Sequence, residues 1–489
     1  MRDIVSAIEE TASRYPDLSA LRIGRQELSY ADLWDWSGRI AAAFGARPGR
    51  VGLSFAKSPE TYAAYLGVLR AGGAVLPLSS RWPTSRVAHI VSEATPERIL
   101  IDAAGSDPDA YRGVTIHQIA DLAGGGAAAR VEIKSADEAY LIYTSGSTGK
   151  PKGVPVRHGS LADYITHVVD LYELGPGARM AQVADLTFDA SVFEIFAAWA
   201  SGATVVVAAG LAWMAPVRFL REYSITHLDT VPSVISLAQG TRSLRPAALP
   251  ELRWSMFSGE QLTYEAASAW KESALGSVIE NNYGPTELAG VCARYRLPAD
   301  SAQWTATSNA TVPIGSVYPH LESLILGPDG TAAEEGELCV RGGQRLSSYV
   351  DPADNVGRFV SGLPPYALLG DAPGPDDWYR TGDRVRMEHG QLVHLGRVDR
   401  QVKLRGYRVE LDEVESAVRS HRAVREAAVV MAGSQLVAVY TGSPLEASEL
   451  KRHVAELVPD YMVPVSWEQR DTLPLNQNGK LDRASLEGR

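Results

Sequence analysis

The run Tyr143-Thr-Ser-Gly-Ser-Thr-Gly-Lys-Pro-Lys-Gly153 follows directly on the apolar segment Ala139-Tyr-Leu-Ile142. Apolar residues that end in a Gly/Ser/Thr-rich turn predict a buried strand opening into a loop. Glycines let that loop turn its backbone amides toward an anion, the hydroxyls of Thr144, Ser145, Ser147 and Thr148 add donors, and Lys150 and Lys152 add charge. This is the chemistry of a polyphosphate cradle, with Thr144, Ser145, Gly146, Ser147, Thr148, Gly149, Lys150 and Lys152 as its candidate residues. It is not a Walker A loop, which needs G-x-x-x-x-G-K-[ST]; here Pro151 follows Lys150, and Thr144 stands where the first glycine belongs.

On both sides of the loop, short apolar runs alternate with helical patterns. Val51 to Phe55, Ala74 to Leu78, Ile99 to Ile101, Arg179 to Val183 and Thr204 to Val207 read as strands; Ser58 to Ala71 and Ser191 to Trp199 read as helices. Such alternation predicts crossover units and largely parallel sheet covered by helices. In the first helix Ser58 is the expected N-cap, Pro59 opens the first turn, and Gly72-Gly73 stops it. Asp102 to Gly126 and Ser361 to Asp377 are broken by Gly, Pro and Asp and read as loops. Beyond residue 399 the texture changes to a helix at Leu411–Ser420, two strands between Ala427 and Tyr440, and a helix at Glu446–Leu457. The expected fold is α/β: a large body over 1–396 of helix-covered, mostly parallel sheets plus a β subdomain, and a small mobile α+β domain over 397–489.

Of the 489 residues, 45% are hydrophobic and 21% charged, which excludes a disordered or fibrous chain and implies more than one structural unit. A net charge of −11 argues against field-driven nucleic-acid binding. The N-terminus lacks an unbroken apolar signal region, and the apolar stretch from Ala203 to Val217 is cut by Gly210 and Pro216; the expectation is a soluble cytoplasmic protein with no membrane partner. Cys292 and Cys339 show no ligand or redox spacing and read as reduced thiols. The chain contains no H-E-x-x-H, Cys-x-x-Cys or G-x-S-x-G, so zinc hydrolysis and serine-esterase chemistry lack support.

The 143–153 loop resembles the signature of the adenylate-forming superfamily, and further segments resemble, in order, its nonribosomal peptide synthetase adenylation domains. They include Leu28 to Leu33, Leu69 to Leu78, Phe188 to Ser191, Asn281 to Glu287, Gly336 to Leu338, Tyr379 to Asp383, Gly396 to Glu415, Pro459 to Pro464 and Asn478 to Arg483. In Tyr283-Gly-Pro-Thr-Glu287 an aromatic can stack on adenine, a hydroxyl can bond a phosphate oxygen, and a carboxylate can hold Mg²⁺. The resemblance implies those roles for Tyr283, Thr286 and Glu287, ribose binding for Asp383, a place near the nucleotide for Arg397, and a hinge at Asp399. It also implies that Lys480, on the small domain, is the catalytic lysine, a compact ammonium bridging the attacking carboxylate and the α-phosphate of ATP.

Asp189 resembles the aspartate that holds an amino-acid ammonium in the peptide-synthetase branch. The rest of the implied substrate pocket is Ala190, Phe193, Asp229, Met256, Ser258, Asn282, Gly290 and Val291, closed by Lys480. An unpaired buried carboxylate is costly, so Asp229 should meet a cation or strong donor. That favours a substrate with a basic or donor-rich side chain; the alternative pairs Asp229 internally, with His227 for example, and leaves a neutral medium-sized substrate. The implied activity is ATP-dependent formation of an aminoacyl adenylate with release of pyrophosphate. Transfer to the phosphopantetheine thiol of a separate carrier protein follows, as in natural-product biosynthesis. The competing expectations are an acyl-CoA ligase of the same superfamily and a catalytically dead binding module. The chain reads as freestanding, an excised domain being the competing explanation, and a need for a small MbtH-like helper protein is left open.

Overall fold

Strands and helices alternate through most of the chain in the computed structural model, which describes residues 3–54, 56–102, 108–122, 129–146, 150–364, 366–370, 373–433, 435–474, 481 and 483–487. One sheet of nine strands runs parallel from Val278–Tyr283 through Trp254–Phe257, His227–Thr230, Arg179–Gln182 and Thr204–Val207 to Ser19–Ile23, with antiparallel strands at both edges. A second, six-stranded sheet carries Thr115–Gln118, Arg98–Ile101, Arg50–Ser54, Ala74–Leu78 and Glu138–Thr144 in parallel, and Lys152–Arg157 returns antiparallel beside the last.

The helix Pro59–Arg70 links two neighbouring strands of the second sheet. Its start follows the sequence signals: Ser58 accepts from the Thr61 amide at 3.4 Å and Pro59 occupies the first turn. Its end is set by Gly72, whose φ of +74° lies in the region a side chain disfavours. The segment after Asp102 departs from the expected loop. It holds a short helical turn Pro108–Tyr111, an edge strand Thr115–Gln118 and a helix Ile119–Leu122. The strand is four residues with one apolar side chain toward the core side, too short a pattern to separate from loop by periodicity.

The helix Asp189–Ser201 is apolar nearly all round, with Val192, Phe193, Ile195, Phe196 and Trp199 buried. Such a helix must be covered on every face. Strands Arg179–Gln182 and Thr204–Val207 cover one side, and helices Ile4–Arg14 and His158–Leu171 the other. Trp199 also donates its indole N–H to Ala20 O at 2.9 Å. Each large side chain buried here contributes about 1.5–3 kcal/mol, so the position of the helix start, and of Asp189 on it, is firmly set.

An antiparallel sheet of Leu321–Leu326, Glu335–Gly342, Trp378–Glu388, Phe359–Val360 and Gln391–Arg397 forms the β subdomain. Beyond it come a hairpin, Gln401–Leu404 with Tyr407–Glu410, and a three-stranded sheet of Val424–Ala432, Gln435–Gly442 and Ser466–Arg470, with helix Leu411–Arg419 packed on the sheet and helix Ala447–Ala455 packed on that helix. Arg397 pairs with Asp383 on the last strand of the β subdomain, and Asp399 lies between that strand and the hairpin. Cys292 and Cys339 are free and buried. No described helix is long and apolar enough to cross a membrane.

Candidate active site

The strand Glu138–Thr144 ends at Thr144, whose buried hydroxyl finds no hydrogen-bond partner among the described residues. At Gly146 the backbone comes so close to the loop's far side that a Cβ would sit 2.0 Å from Lys150 O, which is why glycine stands there. Ser147, Thr148 and Gly149 lie outside the described residues, as does Lys480. The two lysines face differently. Lys150 is exposed, whereas Lys152, first residue of the returning strand, is buried and donates to the Tyr349 hydroxyl at 3.2 Å with its Nζ 3.4 Å from Glu287 Oε1. Burial lowers the Lys152 ammonium, and the Glu287 charge opposes that shift.

Glu287 is fully buried in a short helical turn, Thr286–Leu288, whose shape is fixed from outside. Leu346 N donates to Glu287 O at 2.8 Å, and the Gln344 carboxamide donates to Leu288 O and Val291 O at 2.9 and 3.0 Å. The Glu287 carboxylate accepts from the Tyr349 hydroxyl at 2.7 Å and from Arg408 Nη1 at 3.1 and 2.9 Å. Burial alone would raise this carboxyl, but Arg408, Lys152 and the Tyr349 hydroxyl outweigh it and hold it well below the usual range. The Glu287 carboxylate, with Thr286 beside it in the same turn, would supply oxygen ligands to a hard divalent cation. Among the described residues no group of three His, Cys, Asp or Glu forms a self-sufficient metal cage.

The ribose and adenine candidates also meet. The Tyr283 hydroxyl donates to Asp383 Oδ2 at 2.7 Å; Arg397 Nη1 and His394 Nε2 lie 3.0 and 2.9 Å from Asp383 Oδ1. Burial works to raise Asp383, but His394 and Arg397 hold it well below the usual carboxylate range. Asp399 accepts from Arg397 Nε and Nη2 at 2.6 and 2.8 Å.

The substrate candidates come from the start of helix Asp189–Ser201 and from the neighbouring strands of the nine-stranded sheet. Asp189 opens its helix; enclosure raises its carboxyl, and the nearby Thr286 hydroxyl opposes that shift. The chain leading into it is held by Glu194, which accepts from the Val183 and Ala184 amides at 3.0 and 3.2 Å. Phe193, one turn on from Asp189 and Ala190, packs its ring 6.1 Å from Tyr164 and 5.7 Å from Tyr172, and Asn282 Nδ2 donates to the Tyr172 hydroxyl at 3.0 Å. A Cβ on Gly290 would meet the Tyr164 ring at 3.6 Å, so a side chain there would narrow the space beside Val291. Asp229 pairs in register with Met256, and Ser258 N donates to Thr230 O at 2.9 Å at the strand end. Asp229 Oδ1 and Asn282 Oδ1 are both buried and find no hydrogen-bond partner among the described residues, and burial, with Glu194 and Asp189 adding to it, raises Asp229 well above the ordinary value. The internal pairing with His227 does not occur. Its ring nitrogens lie 2.8 Å from Thr226 Oγ1 and 2.9 Å from Tyr172 O, so neither is left for Asp229.

Sequence reasoning gave no role to Tyr349, His394, Lys403 or Arg408. The last two sit within the Gly396–Glu415 motif, which was the available signal. The hairpin that carries them lies in the crevice: Arg408 O accepts from the Ser145 hydroxyl at 2.9 Å, Gly406 N donates to Glu260 at 2.7 Å, and the Tyr407 ring stands 5.2 Å from Phe188. Lys403 is close enough to Asp383 and Asp189 for their charges to oppose the lowering that burial imposes on its ammonium.

The profile of the AMP-binding enzyme family matches residues 8–350, and that of the AMP-binding enzyme C-terminal domain matches residues 413–480. Bacitracin synthase 3 of Bacillus licheniformis is 33% identical over 99% of this chain, which spans 8% of that protein. Malpinin synthetase of Mortierella alpina is 34% identical over 98% of the chain, which spans 6% of it. Among solved structures, the crystal structure of IdnL7 is 35% identical with a TM-score of 0.70, covering 99% of this chain and 98% of that one. The Vibrio cholerae adenylation domain AlmE, in complex with glycyl-adenosine-5'-phosphate, is 27% identical with a TM-score of 0.84, covering 100% and 97%. The chain therefore belongs to the AMP-binding enzyme family, and it is similar over nearly its whole length to a short part of each of these synthetases and to the adenylation domain AlmE.

Proposed function

We propose that the chain activates an amino acid as its aminoacyl adenylate, releasing pyrophosphate, and passes the acyl group to the phosphopantetheine thiol of a carrier protein. One observation carries the reading. Adjacent residues join the two halves of the crevice: the Thr286 hydroxyl acts on the Asp189 carboxyl in the amino-acid recess, and Glu287 contacts Lys152 at the phosphate loop. An ammonium held at Asp189 thus leaves its carboxylate next to the phosphates, and catalysis is mostly positioning and charge stabilisation.

Within this arrangement the Asp189 carboxylate fixes the ammonium, the 144–152 loop orients the phosphates, and Asp383 accepts from the ribose hydroxyls beside Tyr283. Mg²⁺, when bound at Glu287 and Thr286, supplies neutralising charge to the phosphates. Lys480 would stabilise the charge that builds as the carboxylate attacks. A swing of the small domain about Asp399 would then withdraw Lys480, and the hairpin seated against Ser145, Glu260 and Glu287 is the face that replaces it.

Asp229 Oδ1 and Asn282 Oδ1, which have no hydrogen-bond partner among the described residues, favour a substrate side chain with N–H or O–H donors over a neutral aliphatic one. A pyrophosphate-exchange panel over cationic, hydroxylated, amide and aliphatic amino acids tests this. Donor-bearing side chains should lead by about tenfold or more; a lead by aliphatic residues with cationic ones inert would overturn the Asp229 argument.

A further inference from the structure

We infer that Glu280 and Tyr172 are positioning residues that set the specificity of the amino-acid pocket. Glu280 takes the Tyr172 hydroxyl proton, Tyr172 takes an N–H of Asn282, and the Asn282 carboxamide is left to present its oxygen to the substrate side chain. The inference rests on the reading above that Asn282 serves that pocket and that the substrate side chain carries a donor.

Glu280 and Asn282 lie two apart on strand Val278–Tyr283, a spacing that puts both side chains on one face of the sheet. Glu280 is fully buried, and a buried carboxylate has to be paired. Its Oε2 accepts from Arg294 Nη1 at 3.2 Å and from Arg296 Nε at 2.9 Å, both on the neighbouring strand Ala293–Arg296. Its Oε1 accepts from the Tyr172 hydroxyl at 3.1 Å. A carboxylate has no proton to give and outcompetes neutral acceptors, so the phenol proton is committed to Glu280. Burial pushes the Tyr172 phenol well up, so the proton stays on it. Toward Asn282, 3.0 Å away, the hydroxyl oxygen can then only accept, which selects the amino end of that carboxamide. The other end, Asn282 Oδ1, is buried and finds no hydrogen-bond partner among the described residues. Tyr172 has little room to adapt. Its ring packs edge-on to Phe193 and Trp254, with centroids 5.7 and 5.2 Å away, and its carbonyl lies 2.9 Å from His227 Nε2. A buried oxygen fixed in this way is stranded by any substrate side chain that brings no donor. Without the Glu280 acceptor, the Tyr172 proton would be free to go to Asn282, and the carboxamide could turn to offer its N–H groups instead.

Glu280→Gln tests this. The two arginines claim the glutamine oxygen and leave its amino group to donate to Tyr172, which releases the phenol proton for Asn282. Amino-acid-dependent pyrophosphate exchange is measured on the full chain for side chains of matched shape with and without a donor: serine and 2-aminobutyrate, threonine and valine, ornithine and norleucine. In the parent the donor-bearing member of the best pair should lead in kcat/KM by about tenfold or more. Glu280→Gln should bring the two members within about threefold of each other, with the KM for ATP unchanged. Tyr172→Phe should do the same, which keeps the test open should the glutamine variant fold poorly. Because Glu280 acts through Tyr172, adding Glu280→Gln to Tyr172→Phe should leave the ratio where the single change put it. A ratio unaltered in either single variant, or a further fall in the double variant, would overturn the inference. No exchange with any amino acid in the parent would refute the adenylation reading, and a parent led by the donor-free member would refute the donor reading. A donor-led parent whose preference survives Glu280→Gln would refute the role of Glu280 alone.

Discussion

Replacing Arg86 by Met should disable one half of the reaction and leave the fold standing. Arg86 lies on helix Thr84–Ala94 of the large body and Glu413 on helix Leu411–Arg419 of the small one; their side chains are 3% and 4% exposed and meet at 2.5 Å. The guanidinium also lies 5.5 Å from the Trp82 ring. Removing one member of a buried pair costs about 3–5 kcal/mol, because the other charge stays desolvated. Here the bodies can part and let Glu413 reach water, so the cost falls on docking, not folding. A loss of about 3 kcal/mol lowers the docked population roughly 100-fold. The assay is single-turnover transfer of preformed adenylate to a carrier protein, run beside pyrophosphate exchange and thermal melting. Transfer should drop by about two orders of magnitude, with exchange within a few-fold of the parent and little change in melting. The pair Arg86→Met/Glu413→Leu should recover most of the transfer, since replacing both partners by apolar groups removes the stranded charge. Equal losses in transfer, exchange and melting, or a double variant worse than either single one, would refute the reasoning.

Gly146→Ala forces its Cβ to within 2.0 Å of Lys150 O, so the loop must open; ATP affinity measured by calorimetry should fall by about ten- to a hundred-fold, and unchanged affinity would contradict the phosphate role. Asp383 is held below its usual range by His394 and Arg397, so its contribution to stability is fully present above about pH 4 and is lost as pH falls below that. The melting-temperature gap between the parent and Asp383→Asn should therefore be constant from neutrality down to about pH 4 and narrow steadily as the pH falls further; a gap that stays constant throughout acidification would contradict the pairing. Lys480→Ala should lose exchange by orders of magnitude and keep thioester formation from supplied adenylate, and equal loss of both halves would refute the division of labour.

The elements that position the site were legible where the pattern is local. Ser58, Pro59 and Gly72 bound their helix as expected, and the apolar run before Thr144 is the expected strand, ending where the Gly/Ser/Thr-rich loop begins. Motif residues that share a short segment, such as Thr286 and Glu287, could be named but not paired. Their partners come from elsewhere in the chain: Tyr349 and Arg408 reach Glu287 across 62 and 121 residues of sequence. The different fates of Lys150 and Lys152 follow from which of them enters the returning strand, a matter of register that spacing alone does not fix. The same holds for His227, whose position two residues before Asp229 suggested a pairing that Thr226 and Tyr172 pre-empt.

The claim that an amino-acid carboxylate attacks the α-phosphorus of ATP is tested most directly by isotope transfer. The best substrate of the exchange panel, labelled with ¹⁸O in its carboxylate, is turned over with ATP and Mg²⁺ and the adenylate is discharged with hydroxylamine. Cleavage at the acyl carbon leaves the bridging oxygen on phosphorus, so the AMP should carry one ¹⁸O. Unlabelled AMP, formed at the same rate with or without the amino acid, would contradict the account.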